Sequence, residues 1–297
     1  MKILLLGANG QLAKTLSQTK PKDINLISLS KNELNFLDLG NSLENIENIN
    51  PTHIINAAAY TNVDKAESEK YLAETINAYA PYEIASRASA FGCKFVQIST
   101  DFVFSGTQSY PYSPTEEVHP LGVYGESKAL GEKLILKVKD SKIIRTSWLY
   151  SPFGRNFCLT MLALLQKNSE IKKPLRIVYD QVSCPTSTYS LSTLCWDLIL
   201  NQKTYDKIPK INHWSDAGIA SWYDFAVGIA QIALKEGILE SLPEIIPIKS
   251  KEFKSDAKRP NYSLLDCDEI CELISFKREH WTYELSKVIK IIKSKIT

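Results

Sequence analysis

The sequence predicts an α/β fold: a Rossmann-like, doubly wound parallel sheet with a smaller C-terminal α/β substrate-binding lobe. Three observations carry this. Short apolar runs alternate with helical periodicity through the first half of the chain, the pattern of a parallel sheet covered on both faces. The first apolar run ends in Gly7-Ala-Asn-Gly10 and leads straight into a helical stretch. The 297 residues, 44% hydrophobic and 23% charged, suffice for one large unit or a core with a smaller partner.

Ile3–Leu6 is a four-residue apolar run bounded by glycine, as in a buried parallel strand. Gln11 to about Lys20 is a helix with Leu12 and Leu16 on one face. Asn25–Ser28 and His53–Asn56 are the second and third strands. Val63 to about Gly92 has long helical periodicity, expected as two helices broken near Pro81. Lys94–Ser99 is the fourth strand. Asp101–Leu121, rich in Ser, Pro, Gly and Tyr, reads as a long surface loop, and such loops are usually functional. Gly125–Lys139 is a helix and Lys142–Arg145 the fifth strand. Beyond Ser147 the pattern loosens. Leu175–Val178 and Pro209–His213 read as strands; Ser187–Asn201, Trp222–Glu236 and Tyr283–Lys295 read as helices. The expected division is a dinucleotide-binding part, 1–147, and a substrate lobe, 148–297, with some elements returning to the first sheet.

The net charge of +2 offers no basic field for nucleic acid. No stretch approaches the ~20 apolar residues of a membrane span, and the apolar start is too short for a signal peptide. The lysine-rich C-terminus, Lys287–Lys295, reads as a surface helix with cations in its last turns. The six cysteines lack metal spacing, so no metal is expected. Reduced thiols in a cytoplasmic protein are the expectation.

Ligands of such sheets bind outside the carboxyl ends of the strands. Gly7, Asn56, Thr100 and Thr146 all fall at expected strand ends. Gly7 permits a tight turn, and Gly10 lets the amides of Gln11 and Leu12 approach a pyrophosphate. Ala13 supplies the small residue that helix–strand packing needs. A plain glycine-rich turn would look the same. After the second strand no acid stands at the strand end itself. Ser30 and Lys31 can accept a 2′-phosphate, or Lys31 can simply face water. Asp38 and Leu39 are candidates for the adenine site; Asp38 can equally cap a helix. Ala57, Ala58 and Ala59 allow a cofactor to lie flat on the backbone, as close helix packing would also require.

Tyr124 and Lys128 lie one helical turn apart, with Thr100 at a strand end upstream. Free tyrosine titrates near 10, and a lysine cation nearby favours the phenolate. Lys128 can also hold ribose hydroxyls. Thr100 can polarise a carbonyl, and Tyr124 can then protonate it as hydride arrives. A chance Tyr-x-x-x-Lys on an amphipathic helix is the competing reading. These features imply NADPH, used at least as well as NADH.

The chain resembles the dTDP-4-dehydrorhamnose reductase family of extended short-chain dehydrogenase/reductases. The resemblance rests on Gly10-Gln11-Leu12, Asn56–Glu67, Ser99–Phe104, Val123–Lys128, Arg145–Tyr150, Asp180–Thr186, Ser221–Asp224 and Arg259-Pro260. It implies reduction of the 4-keto group of dTDP-4-dehydro-L-rhamnose, with Tyr124 as proton donor, Lys128 its partner and Thr100 the polarising residue. It also implies that Asp101 and Trp148 meet the sugar nucleotide. Without it, Trp148 reads equally well as core. The chain departs from the family at Ala13, at Ser183 and in lacking an acid at the second strand's end. The alternatives are a 4-ketoreductase or epimerase for another nucleotide sugar, or a binding subunit like the regulatory subunit of methionine adenosyltransferase. A dehydratase is disfavoured because Phe102 follows Asp101 where a second carboxylate is needed. A homodimer is compatible with the sequence.

Overall fold

The computed structural model describes residues 1–40 and 42–296. Five strands of the first half are β1 (Lys2–Leu6), β2 (Asn25–Leu29), β3 (His53–Asn56), β4 (Lys94–Thr100) and β5 (Ser141–Thr146). A sixth, β6 (Ile211–Trp214), comes from the second half and pairs with β5. All pairings are parallel, in the order β6-β5-β4-β3-β1-β2.

Alternation along each strand divides its side chains between two cores. Ile3, Leu5, Ile55, Val96 and Ile144 face one side, with Leu12 and Leu16 of the helix Gln11–Gln18 and Leu191 and Leu194 of the helix Thr188–Leu200. Leu4, Leu6, Ile54, Phe95 and Ile143 face the other, with Ile46, Ile84, Ala88 and Ile135. A third core, of Met161, Leu165, Phe225, Ile229, Leu285 and Val288, holds the lobe together. Its helices are Phe157–Glu170, Trp222–Lys235 and Trp281–Ile296. No helix among the described residues is long and apolar enough to cross a membrane.

Several elements differ from the sequence expectation. The helical stretch after Val63 does not break at Pro81. Two short helices, Val63–Ala66 and Lys70–Glu74, run into a π-helical turn, Thr75–Tyr79, and then into the helix Ala80–Ala90. Pro81 sits in the first turn of that last helix, where its missing N–H costs least. The helices Ser42–Ile49 and Phe157–Glu170 were not expected. The former has only eight residues and is rich in Asn, which competes with the backbone for hydrogen bonds. The Asp101–Leu121 loop is anchored rather than merely superficial: Val103, Phe104 and Tyr112 are buried, and the Tyr112 ring stacks on Phe104 at 4.1 Å.

The carboxyl ends of the central strands lie side by side. Leu6 is opposite both Leu29 and Asn56, and Thr100 is opposite Thr146. β4 runs past the end of β3, because Asn56 pairs with Gln97. Thr100 is thereby carried out to the rim where ligands of such sheets bind.

Candidate active site

A cleft of about 960 Å³ opens at this rim. It is lined by Gly7, Gly10, Gln11, Leu12, Ser30, Lys31, Ala57, Ala58, Ala59, Thr100, Asp101, Tyr124, Lys128 and Trp148. One concavity therefore gathers nearly every residue singled out from the sequence. Asp38 and Leu39 are not on its wall. Asp38 is exposed, and Leu39 is buried in the core with Leu34 and Phe36.

The glycine turn is built for backbone approach. Gly7 has φ of +86°, and a Cβ there would stand 2.8 Å from the backbone of Ala58. The Gly7 and Ala8 amides donate to Leu29 O, and Gly10 N to Gly7 O. The helix Gln11–Gln18 starts at Gly10 with no side-chain cap and no acid in its first turn. Its first amides are therefore free for an anion. These features fit a dinucleotide, with the diphosphate on the amides of Gln11 and Leu12 and the small wall of Ala57–Ala59 beside it.

The end of β2 requires a correction. No acid stands at the strand end in sequence, but Glu33 folds back onto it. Its Oε2 accepts from both Ser30 N, at 2.8 Å, and Ser30 Oγ, at 2.7 Å. The Ser30 amide and hydroxyl hold this exposed carboxyl below its ordinary range. A carboxylate thus neighbours the place where a 2′-phosphate would go, and Lys31 stands exposed beside it. The acid lies four residues beyond Leu29, the last residue of the strand, and returns through the turn to Ser30, an i, i+3 spacing that the sequence did carry.

The helix Val123–Ile135 carries Tyr124 and Lys128. Gly125 lets it approach the Phe102 carbonyl, which a Cβ would meet at 2.3 Å. Tyr124 packs edge-on against Phe102, with ring centroids 5.5 Å apart. Burial pushes the Tyr124 phenol up to about 12, against a hydrogen bond with Thr100 and with a further push from Asp101. Lys128 Nζ donates to Ile98 O at 2.7 Å. Burial drives Lys128 down to about 8, and Glu132 opposes this. The expected lowering of Tyr124 by Lys128 is not seen: withdrawal from water raises the phenol, and the group that opposes this is Thr100. A phenol held protonated at neutral pH remains suited to giving a proton.

Thr100 Oγ1 donates to Asp101 Oδ1 at 3.1 Å, and Ser263 Oγ donates to Asp101 Oδ2 at 2.5 Å. Burial raises the Asp101 carboxyl to about 6, although Ser263 and Thr100 stabilise its charged form. Trp148 has φ of +44°, in the left-handed region that non-glycine residues rarely adopt. Its ring stacks on Trp222 at 3.5 Å, inclined by only 6°. Such backbone geometry persists where surroundings enforce it, and it clusters at ligand sites.

Further cleft residues escaped the sequence reading: Trp222, Arg155, Arg259 and Asn62. Asn62, Trp222 and Arg259 stood inside stretches of resemblance without a role attached. Arg155 carried no signal. Gln11 has a second function. Its side chain donates to Leu149 O at 3.1 Å and accepts from Ser151 Oγ at 3.1 Å and Asn156 Nδ2 at 3.3 Å. It ties the glycine turn to the segment after Trp148.

The whole chain also matches known proteins. A family model described as the RmlD substrate binding domain covers residues 1–294. The chain belongs to the dTDP-4-dehydrorhamnose reductase family. A spore coat polysaccharide biosynthesis protein of Bacillus subtilis is 37% identical over 97% of both chains. The dTDP-4-dehydrorhamnose reductase of Aggregatibacter actinomycetemcomitans is 33% identical over 97% of this chain and 98% of its own. Among solved structures, the dTDP-4-dehydrorhamnose reductase of Bacillus anthracis, in complex with NADP, superposes with a TM-score of 0.88 at 29% identity. That match covers 98% of this chain and 99% of the other. The expected Rossmann-like α/β fold and the resemblance read from the motifs both hold for this family member.

Proposed function

We propose that this chain reduces the 4-keto group of dTDP-4-dehydro-L-rhamnose with NADPH, giving dTDP-L-rhamnose, in the cytoplasm. The observation that carries the reading is the meeting of Thr100, Tyr124 and Lys128 in one cleft with the uncapped helix start at Gly10. When bound, NADPH supplies the hydride. The first amides of Gln11–Gln18 hold its diphosphate, and Ala57–Ala59 keep the cofactor close to the backbone. Lys128 is placed to hold the nicotinamide ribose. Tyr124 gives its phenolic proton to the sugar's O4, and Thr100 donates a hydrogen bond to the same oxygen as charge develops there. Trp148 and Trp222 offer apolar ring surface to the sugar nucleotide. Arg155 and Arg259 place two cations on the cleft wall, suited to the substrate's diphosphate.

Relatives named as reductases at about one-third identity over nearly the full length support this reading, as does the NADP-bound neighbour. The test is oxidation of NADPH by the purified protein with dTDP-4-dehydro-L-rhamnose, with dTDP-L-rhamnose identified as product. Tyr124→Phe should bind NADPH as wild type does but turn over about 10²–10⁴-fold more slowly. Absence of turnover in the wild type overturns the proposed reaction; wild-type kcat in the Phe variant removes Tyr124 as the acid.

A further inference from the structure

The stretch Val63-Asp-Lys-Ala-Glu67 belongs to the family resemblance, yet none of its side chains enters the chemistry above. Its geometry gives it work. The helix that carries Tyr124 begins at Gly122, which has no side chain to satisfy the first helical amides. The missing acceptor comes from a distant part of the chain: Val123 N donates to Glu67 Oε1 at 2.9 Å. A carboxylate at that end is also favoured by the helix dipole. Gly122 leaves the space for it, since a Cβ there would stand 2.6 Å from Glu67 Oε1. One turn further on, Lys70 Nζ reaches Glu126 Oε2 at 3.1 Å. Tyr124 is the very next residue after the capped amide.

Three residues before Glu67, Asp64 holds the segment that carries Arg259. Its Oδ2 accepts from Arg259 Nη2 at 2.9 Å. Its Oδ1 accepts from Ser255 Oγ at 2.8 Å and Ala257 N at 3.1 Å. Arg259 also donates to Ser255 Oγ. The Arg259 side chain is 22% exposed, and the residue lines the cleft. Without Asp64, the Arg259 side chain would keep only Ser255 Oγ of these partners.

We propose that the single turn Val63–Ala66, with Glu67 at its end, is a positioning element that fixes both halves of the reaction. Glu67 sets the place of Tyr124 through the start of its helix, and Asp64 sets the place of Arg259. Neither touches the reacting atoms, and the assignment of kinetic roles rests on the reductase reading above. The two residues should therefore give different kinetic signatures although they share one turn.

Glu67→Ala should lower kcat by about 10- to 100-fold, the scale of a small misplacement of a reacting group. The KM for NADPH should stay within about twofold, because Glu67 does not approach the glycine turn. Glu67→Gln keeps an oxygen that can accept from Val123 N, so it should recover most of kcat. Asp64→Asn should instead raise KM for the nucleotide sugar by about tenfold, with kcat changed much less. A turn that serves only stability would lower the melting temperature of both variants and leave the constants of the folded fraction alike; that pattern overturns the proposal. Hydrogen exchange over residues 122–128 gives a reading independent of turnover. Exchange should quicken in Glu67→Ala but not in Glu67→Gln. Unchanged exchange in Glu67→Ala overturns the capping role even if the wild type proves inactive, whereas inactivity with quickened exchange overturns the proposed reaction alone.

Discussion

Lys128 should set the alkaline limit of the reaction. The residue is almost wholly buried, at 4% exposure, and burial moves its ammonium from 10.5 to about 8. That difference is about 3 kcal/mol set against the charged form. It persists although Nζ keeps the Ile98 carbonyl as a partner and Glu132 favours the charge. Tyr124, at about 12, stays protonated far above the pH at which Lys128 loses its charge. The first event on the alkaline side is therefore loss of the cation, not of the Tyr124 proton. With a limit near pH 8, only about one-tenth of the enzyme would carry the ammonium at pH 9. The assay is kcat/KM for NADPH from pH 6 to 10, because this ratio reports groups of the enzyme before the cofactor binds. Wild type should fall about tenfold per pH unit above 8. Lys128→Arg should be slower throughout, but its limb should move up by more than one pH unit, since a guanidinium does not titrate in this range. A limb at the same pH in both enzymes would refute Lys128 as the titrating group.

Three further outcomes follow from particular contacts. Arg145 and Glu132 are buried and joined by Nε and Nη2 at 2.7–3.1 Å, so Arg145→Met should cost about 3–5 kcal/mol by stranding the carboxylate. Adding Glu132→Leu should recover much of that in urea unfolding; a double variant as weak as the sum of the singles would contradict it. At the end of β2, Glu33→Gln should raise the NADPH-to-NADH ratio of kcat/KM about two- to fivefold and Lys31→Ala should lower it by a similar factor; constant ratios would clear both residues. Asp216 is buried, and burial raises its carboxyl to about 8. The folded state thus keeps a proton that the unfolded chain releases near pH 4, so this contribution to stability declines as pH rises from about 4 to about 8. Asp216→Asn should flatten the melting temperature between pH 5 and 8, and parallel slopes in the two proteins would count against the assignment.

The parallel sheet was legible because its strands are buried on both faces. Leu4 and Leu5 must both be apolar when one faces each core, so the strands appear as unbroken apolar runs. The glycine turn and the Tyr124–Lys128 pair were legible because each is local: one turn of chain contains the whole signal. What the sequence hid is of another kind. Trp222 meets Trp148 across 74 positions of sequence, and Glu67 caps a helix 56 residues away. No periodicity encodes such contacts. They exist only after the sheet has brought its strand ends together.

The same distinction orders the site itself. The groups proposed to take part in proton transfer lie on rigid elements, Thr100 on β4 and Tyr124 and Lys128 on the following helix, so their mutual spacing is set by the sheet. The groups that would meet the rest of the substrate lie on connections: Arg155 after Ser151, Arg259 before Pro260, Trp148 just beyond β5. Connections hold a geometry only when something ties them. Here the ties are polar and specific: Gln11 for the segment after Trp148, Asp64 for Arg259, Glu67 for the start of the helix itself. Removing a tie leaves the sheet and its cores intact, so such variants should fold and bind the cofactor while failing at different kinetic steps. The geometry of the site is therefore open to change through side chains that take no part in the proposed chemistry.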